Sequence, residues 1–119
     1  MIRPGEEIEV YLCREVVDMR RSIPGLSAFV EQELGLDPFA KRLVVFCSRR
    51  KDKIKILYWE RSGFVLWYKR LEKARFAWPA REATESVVAM TGRELNWLLD
   101  GIDIFAVRPH AELRFDSVL

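Results

Sequence analysis

The run Leu43-Val44-Val45-Phe46-Cys47-Ser48-Arg49-Arg50-Lys51-Asp52-Lys53-Ile54-Lys55-Ile56-Leu57-Tyr58-Trp59-Glu60-Arg61-Ser62-Gly63-Phe64-Val65-Leu66-Trp67-Tyr68-Lys69-Arg70 decides how this chain folds. Three stretches rich in β-branched and aromatic residues are separated by two short polar turns, Arg49-Arg50-Lys51-Asp52 and Glu60-Arg61-Ser62-Gly63. Runs of that composition bounded by turn residues read as strands, so the segment predicts a three-strand antiparallel meander. With both turns tight, paired residue numbers sum to 101 in the first hairpin and 123 in the second. One face then collects Leu43, Val45, Cys47, Ile54, Ile56, Tyr58, Val65 and Trp67, and is expected to be the core side. The other collects Phe46, Ser48, Lys53, Lys55, Trp59, Phe64, Tyr68 and Arg70, along with Val44, Leu57 and Leu66. Lys53 falls opposite Arg70, and Lys55 opposite both Phe46 and Tyr68.

Upstream, Glu7 to Cys13 alternates and predicts a further strand with Ile8, Val10 and Leu12 inward. Ser22 is placed to cap a helix running to about Leu34, with Ile23, Leu26, Phe29, Val30 and Leu34 on one face and Gly35 as the stop. Asp37-Pro38 forces a turn. Downstream, Ser86 to Met90 is strand-like. Thr91-Gly92-Arg93-Glu94 is a capping box ahead of Leu95, Leu98 and Leu99, with Gly101 past the end. No internal repeat is present. The expectation is one α+β domain spanning 1–119, an antiparallel sheet built on the meander with two principal helices.

Charge is segregated along the chain. Between Lys41 and Arg81 lie thirteen of the 20 basic residues and three of the 18 acids, an excess of ten positive charges that a net charge of +2 conceals. Separation of this kind marks an anionic partner, most often nucleic acid. Lysines and arginines interleaved with aromatics on a sheet surface suit a polynucleotide, phosphates on the cations and bases or sugars against the rings. Like charges opposed across strands cost a few tenths of a kcal/mol, roughly, which an anion would remove. The candidate nucleic-acid contacts are Arg49, Arg50, Lys51, Lys53, Lys55, Trp59, Tyr68, Lys69 and Arg70; the seven basic residues are expected to form one contiguous exposed patch, with Tyr68 or Trp59 at its edge.

The same segment carries a family signature. Asp18-Met19-Arg20-Arg21, Asp37-Pro38-Phe39, Lys53 to Trp59, Lys69-Arg70-Leu71-Glu72-Lys73, Phe76-Ala77-Trp78-Pro79 and Leu95 to Asp103 occur in order. Together they resemble the small accessory protein, TnpB or Orf2-like, of the insertion-sequence sixty-six family of bacterial transposons. The resemblance covers about residues 8 to 104. It departs at Ser22-Ile23-Pro24 and over the tail, 105–119. It implies a companion to a separately encoded transposase, with transposon DNA and transposase as partners and no catalytic residues.

Other chemistries lack their residues. Metal-dependent strand transfer needs converging acids. Here Glu6, Glu7, Glu31 and Glu33 sit in solvated-face positions, and Asp100 and Asp103 flank a helix end. Asp18 is expected to pair with Arg20 or Arg21, or to precede the Ser22 cap. His110 is the sole histidine, so no zinc site is expected; no phosphate-binding glycine loop occurs, and no cofactor is expected. Cys13 and Cys47 are expected as buried free thiols of a cytoplasmic protein. No apolar run is long enough to span a membrane, and Met1 to Glu9 does not read as a signal peptide. Two functions stay open: a non-enzymatic accessory factor that contacts DNA backbone through the basic face and turn, or an adaptor that docks on the transposase without touching DNA.

Overall fold

A computed structural model of the chain describes residues 3–79 and 85–106. Arg81, His110 and the tail beyond residue 106 lie outside the described residues. The elements run β1 (Glu9–Cys13), α1 (Ile23–Gln32), β2 (Leu43–Cys47), β3 (Lys53–Glu60), β4 (Gly63–Arg70), β5 (Val87–Thr91) and α2 (Gly92–Leu99). All five strands form one sheet in the order β4-β3-β2-β1-β5.

The meander has the register its turns dictate. Val44 pairs with Leu57 and Cys47 with Ile54, while Lys53 pairs with Arg70 and Glu60 with Gly63. The sheet departs from the purely antiparallel expectation at one place. β1 lies parallel to β2, with Val10 opposite Leu43 and Leu12 opposite Val45. The connection between them carries α1, and a parallel pair needs such a crossover. The sheet is therefore mixed, with three of its four pairings antiparallel.

Each face of the sheet has its own core. On one, α2 together with Leu71, Phe76, Trp78, Ile104 and Phe105 covers Val10, Leu12, Leu43, Val45, Cys47, Ile54 and Ile56, and Met90, Leu95, Leu98 and Leu99 belong to the same cluster. On the other, α1 lays Leu26 and Val30 over Cys13, Val44, Phe46 and Leu57, with Ile23, Phe29 and Leu34 at the margin. Every residue of β2 is consequently buried. The second face, read from sequence as the basic surface, is largely beneath α1.

The helix ends follow local chemistry. The Thr91 hydroxyl accepts from the Glu94 N–H at 3.1 Å, and the Glu94 carboxylate accepts from the Thr91 N–H at 3.0 Å. This reciprocal box satisfies two otherwise orphaned donors. Ser22 holds the N-cap position of α1, yet its side chain makes no cap bond there; Pro24 fills the first turn instead. Past α1, Gly35 takes φ +66°, a conformation that side chains disfavour.

Two glycines separate space from conformation. A Cβ on Gly92 would overlap the Gly5 carbonyl and come within 3.0 Å of Ile8 Cγ2. Backbone cannot swing aside, so Gly92→Ala should destabilise the protein by about 1–3 kcal/mol despite the better helix propensity of alanine. A Cβ on Gly25, inside α1, meets nothing closer than Arg21 Cβ at 3.7 Å. Gly25→Ala should stabilise by about 0.4–1 kcal/mol. Urea midpoints of the two variants, moving in opposite directions, check both.

Candidate nucleic-acid interface

The β2–β3 turn is held rigidly enough to present charge. Ser48 is buried, and its hydroxyl lies 3.1 Å from Asp52 Oδ1 while accepting from the Lys53 N–H at 3.1 Å. The Lys51 N–H reaches the Ser48 carbonyl at 3.0 Å, and Lys51 adopts φ +64°. Burial would raise the Asp52 carboxyl, but hydrogen bonds from Lys53 and Ser48 outweigh it and keep Asp52 below its ordinary value. Arg49 and Arg50 stand exposed at the tip.

A second basic loop is fastened to this turn. The Leu71 N–H donates to the Asp52 carbonyl at 2.8 Å, and the Phe76 N–H donates to the Lys51 carbonyl at 2.7 Å. Phe76 is buried in the core, so the loop between these bonds is closed at both ends. Lys73 and Arg75 project from it, exposed. Arg49, Arg50, Lys51, Lys73 and Arg75 thus share one end of the sheet, and none makes a side-chain hydrogen bond, ion pair or ring contact among the described residues.

The basic residues of the strands are occupied elsewhere. Lys53 pairs with Asp52 at 3.2 Å. The Lys55 ammonium donates to the carbonyls of Met19 and Arg21 at 2.7 and 2.8 Å and lies 5.8 Å from the Tyr68 ring, so it ties the lead-in of α1 to the sheet. Arg70 pairs with Glu72 at 3.3 Å. Lys69 lies opposite Ile54, on the α2 face, and donates to the Leu99 carbonyl at 3.0 Å. The structure therefore does not bring Lys69 into a patch with Lys53, Lys55 and Arg70.

Tyr68 is exposed on the α1 side of edge strand β4. Trp59 sits at the far end of β3, in a cluster with Phe39 and Phe64 whose ring centroids are 5.0–5.2 Å apart. It is well removed along the strand from the Arg49 turn. Lys73 and Arg75 were absent from the sequence-derived contact set, although they lie within the charge excess. The signal that finds them is tertiary, the pinning of their loop to Lys51 and Asp52.

Lys69 makes a distinct prediction. A helix C-terminus leaves carbonyls without partners and carries partial negative charge. Lys69→Met should cost about 1–2 kcal/mol in urea denaturation through loss of a charged hydrogen bond. It should leave the salt dependence of any DNA binding unchanged.

Comparison with known proteins gives the context. The family described as "IS66 Orf2 like protein" matches residues 8–109. The chain belongs to this family. Two proteins of Sinorhizobium fredii are similar to it. "Uncharacterized protein y4hO" is 33% identical over 103 residues, covering 87% of this chain and 88% of that protein. "Uncharacterized protein y4jC" is 32% identical over 103 residues, covering 87% and 86%. No solved structure matches the chain.

Membership of the IS66 Orf2-like family gives an accessory role in transposition. In this family member Asp18, Asp100 and Asp103 each have a partner within the fold. Asp18 makes an ion pair with Arg20 at 2.7 Å, and hydrogen bonds from that guanidinium hold its carboxyl at about 2. Asp100 pairs with Arg3 at 2.9 Å, and Asp103 accepts from the N–H groups of Phe105 and Ala106. No group of three potential metal ligands occurs among the described residues. Cys13 and Cys47 are free and buried, and burial pushes their thiols up to about 11 and about 12. No helix among the described residues is long and apolar enough to cross a membrane.

Proposed function

We propose that this protein assists a separately encoded transposase by holding transposon DNA through its phosphate backbone. The contact is made at the end of the sheet where the β2–β3 turn and the 72–75 loop meet. One observation carries the reading: Arg49, Arg50, Lys51, Lys73 and Arg75 project together and have no internal partner among the described residues. Cations that a fold does not use internally remain available to an external anion, and phosphate contacts give affinity without sequence discrimination. The role is non-enzymatic and takes no metal or cofactor. The strand residues Lys53, Lys55, Lys69 and Arg70 shape the scaffold in this reading.

A second reading rests on a different observation. Phe39 is 56% exposed beside Trp59 and Phe64, at the opposite end of β3 from the cationic turn. An exposed aromatic cluster suits a protein contact, and there the protein would dock on the transposase as an adaptor.

One experiment separates the two. Binding to element-end duplex DNA is measured across a salt series, with and without transposase. The DNA reading expects binding by the protein alone, weakening linearly in log–log form with salt. Salt-insensitive association that requires transposase would replace it with the adaptor reading.

A further inference from the structure

Beside the cationic turn the sheet end opens into a cleft of about 620 Å³ lined by Arg14, Glu15, Val16, Arg49, Lys51, Trp78 and Pro79. Its volume lies within the roughly 300–1,000 Å³ typical of small-ligand sites. Its lining is mixed. Arg49 and Lys51 supply positive charge, and Trp78, Pro79 and the exposed side chain of Val16 supply apolar surface.

The Trp78 ring is held in place. Its indole N–H lies 3.2 Å from the carbonyls of both Cys13 and Arg14, at the end of β1. Part of the ring packs against the α2-side core, and it also lines the cleft. An aromatic face fixed beside unpaired cations is the combination that single-stranded nucleic acid uses: stacking for the base, charge for the phosphates. Glu15 also lines the cleft, and its carboxylate opposes a bare phosphate while offering an acceptor to the amino or imino N–H of a base.

We propose that this cleft receives one unpaired nucleotide of a single-stranded DNA segment, its base against Trp78 and its phosphates on Arg49 and Lys51. The proposal rests on the DNA-backbone reading above and adds a preference to it. A paired base inside a duplex must first be unpaired and unstacked to turn into a recessed cleft, at a cost of about a few kcal/mol that an unpaired base does not carry. The protein therefore favours unpaired strands, such as those exposed where an element end is opened.

The test uses the full chain with a fluorescein-labelled unpaired oligonucleotide and a duplex of the same length. The wild-type protein should bind the single strand more tightly than the duplex. Trp78→Leu should weaken single-strand binding about tenfold to a hundredfold, the range for loss of one base–aromatic stack, and leave duplex binding within about twofold. Trp78→Phe, which keeps a ring, should retain most of the single-strand affinity.

A second measurement covers failure of Trp78→Leu to fold. The indole N–H resonance of Trp78, identified by its loss in Trp78→Phe, should shift when the single strand is added and stay fixed with the duplex. Equal binding of both DNAs with an unmoved indole resonance would overturn the cleft proposal while leaving the backbone reading intact. Absence of binding to either DNA would overturn both.

Discussion

Exchanging Arg49, Arg50, Lys51, Lys73 and Arg75 together for glutamine is expected to remove most DNA binding and leave the fold unchanged. Each lysine or arginine that neutralises a phosphate releases about 0.9 of a counterion, so loss of all five should flatten the log–log salt slope by about 4 to 5. At about 0.1 M salt the affinity should fall by at least ~100-fold, on duplexes of any sequence alike. Stability should scarcely change, because surface substitutions without partners usually lie within about 0.5 kcal/mol each. None of the five side chains has a partner among the described residues, and all but the half-buried Lys51 are exposed. The comparison variant is Lys53→Gln with Lys55→Gln, which breaks internal bonds. It should lower the urea midpoint and barely alter the slope. A slope that falls with the strand lysines and not with the loop cations would return the contact to the sheet face.

Phe46→Ala should be the most damaging single change. Phe46 is fully buried in the central strand, and its ring meets Phe29 of α1 edge-on with centroids 6.1 Å apart. Deleting a buried phenyl group removes its transfer energy and leaves a cavity, about 3–5 kcal/mol in total. Domains of this size carry roughly 5–15 kcal/mol altogether, so the variant should be partly unfolded near physiological temperature. Equilibrium urea denaturation measures it. A loss under about 1 kcal/mol would mean that α1 does not form a packed layer on that face.

Those two experiments fall on either side of what can be read from the chain. The meander register was legible because both turns are short and flanked by apolar runs, leaving little freedom to slip. The capping box around Thr91 was equally direct, since all its bonds lie within four residues. What stayed hidden was which layer would cover each face. The continuous apolar run Leu43–Cys47 carries a hint, because a strand covered on one side alternates and one covered on both does not. Lys55 could not be placed from its neighbours: its acceptors, Met19 and Arg21, lie 36 and 34 positions away. Lys69 was open to a local argument. The alternation that puts Tyr68 and Arg70 on one face puts Lys69 on the other. The parallel contact of β1 with β2 joins residues that only the α1 crossover brings together. The cationic site was visible as a charge excess, but its composition depended on which cations the folded chain had already used.

The pairing of β5 with β1 sets an order in time. Glu9 meets Thr91 and Cys13 meets Val87, partners more than seventy positions apart. At about 5–20 residues per second, β5 leaves the ribosome on the order of several seconds after β1. By then β1, α1, β2, β3 and β4 are all available, and the α1-side core, drawn from residues 13 to 66, can already close. The opposite face cannot. Val10, Leu12, Val45 and Ile56 wait for Leu95, Leu98 and Ile104, which arrive last. For that interval the nascent chain displays a half-finished sheet with one greasy side and the outer edge of β1 unpaired, the form most prone to join a neighbour's strand. A chain cut short before residue 87 would make that transient state permanent.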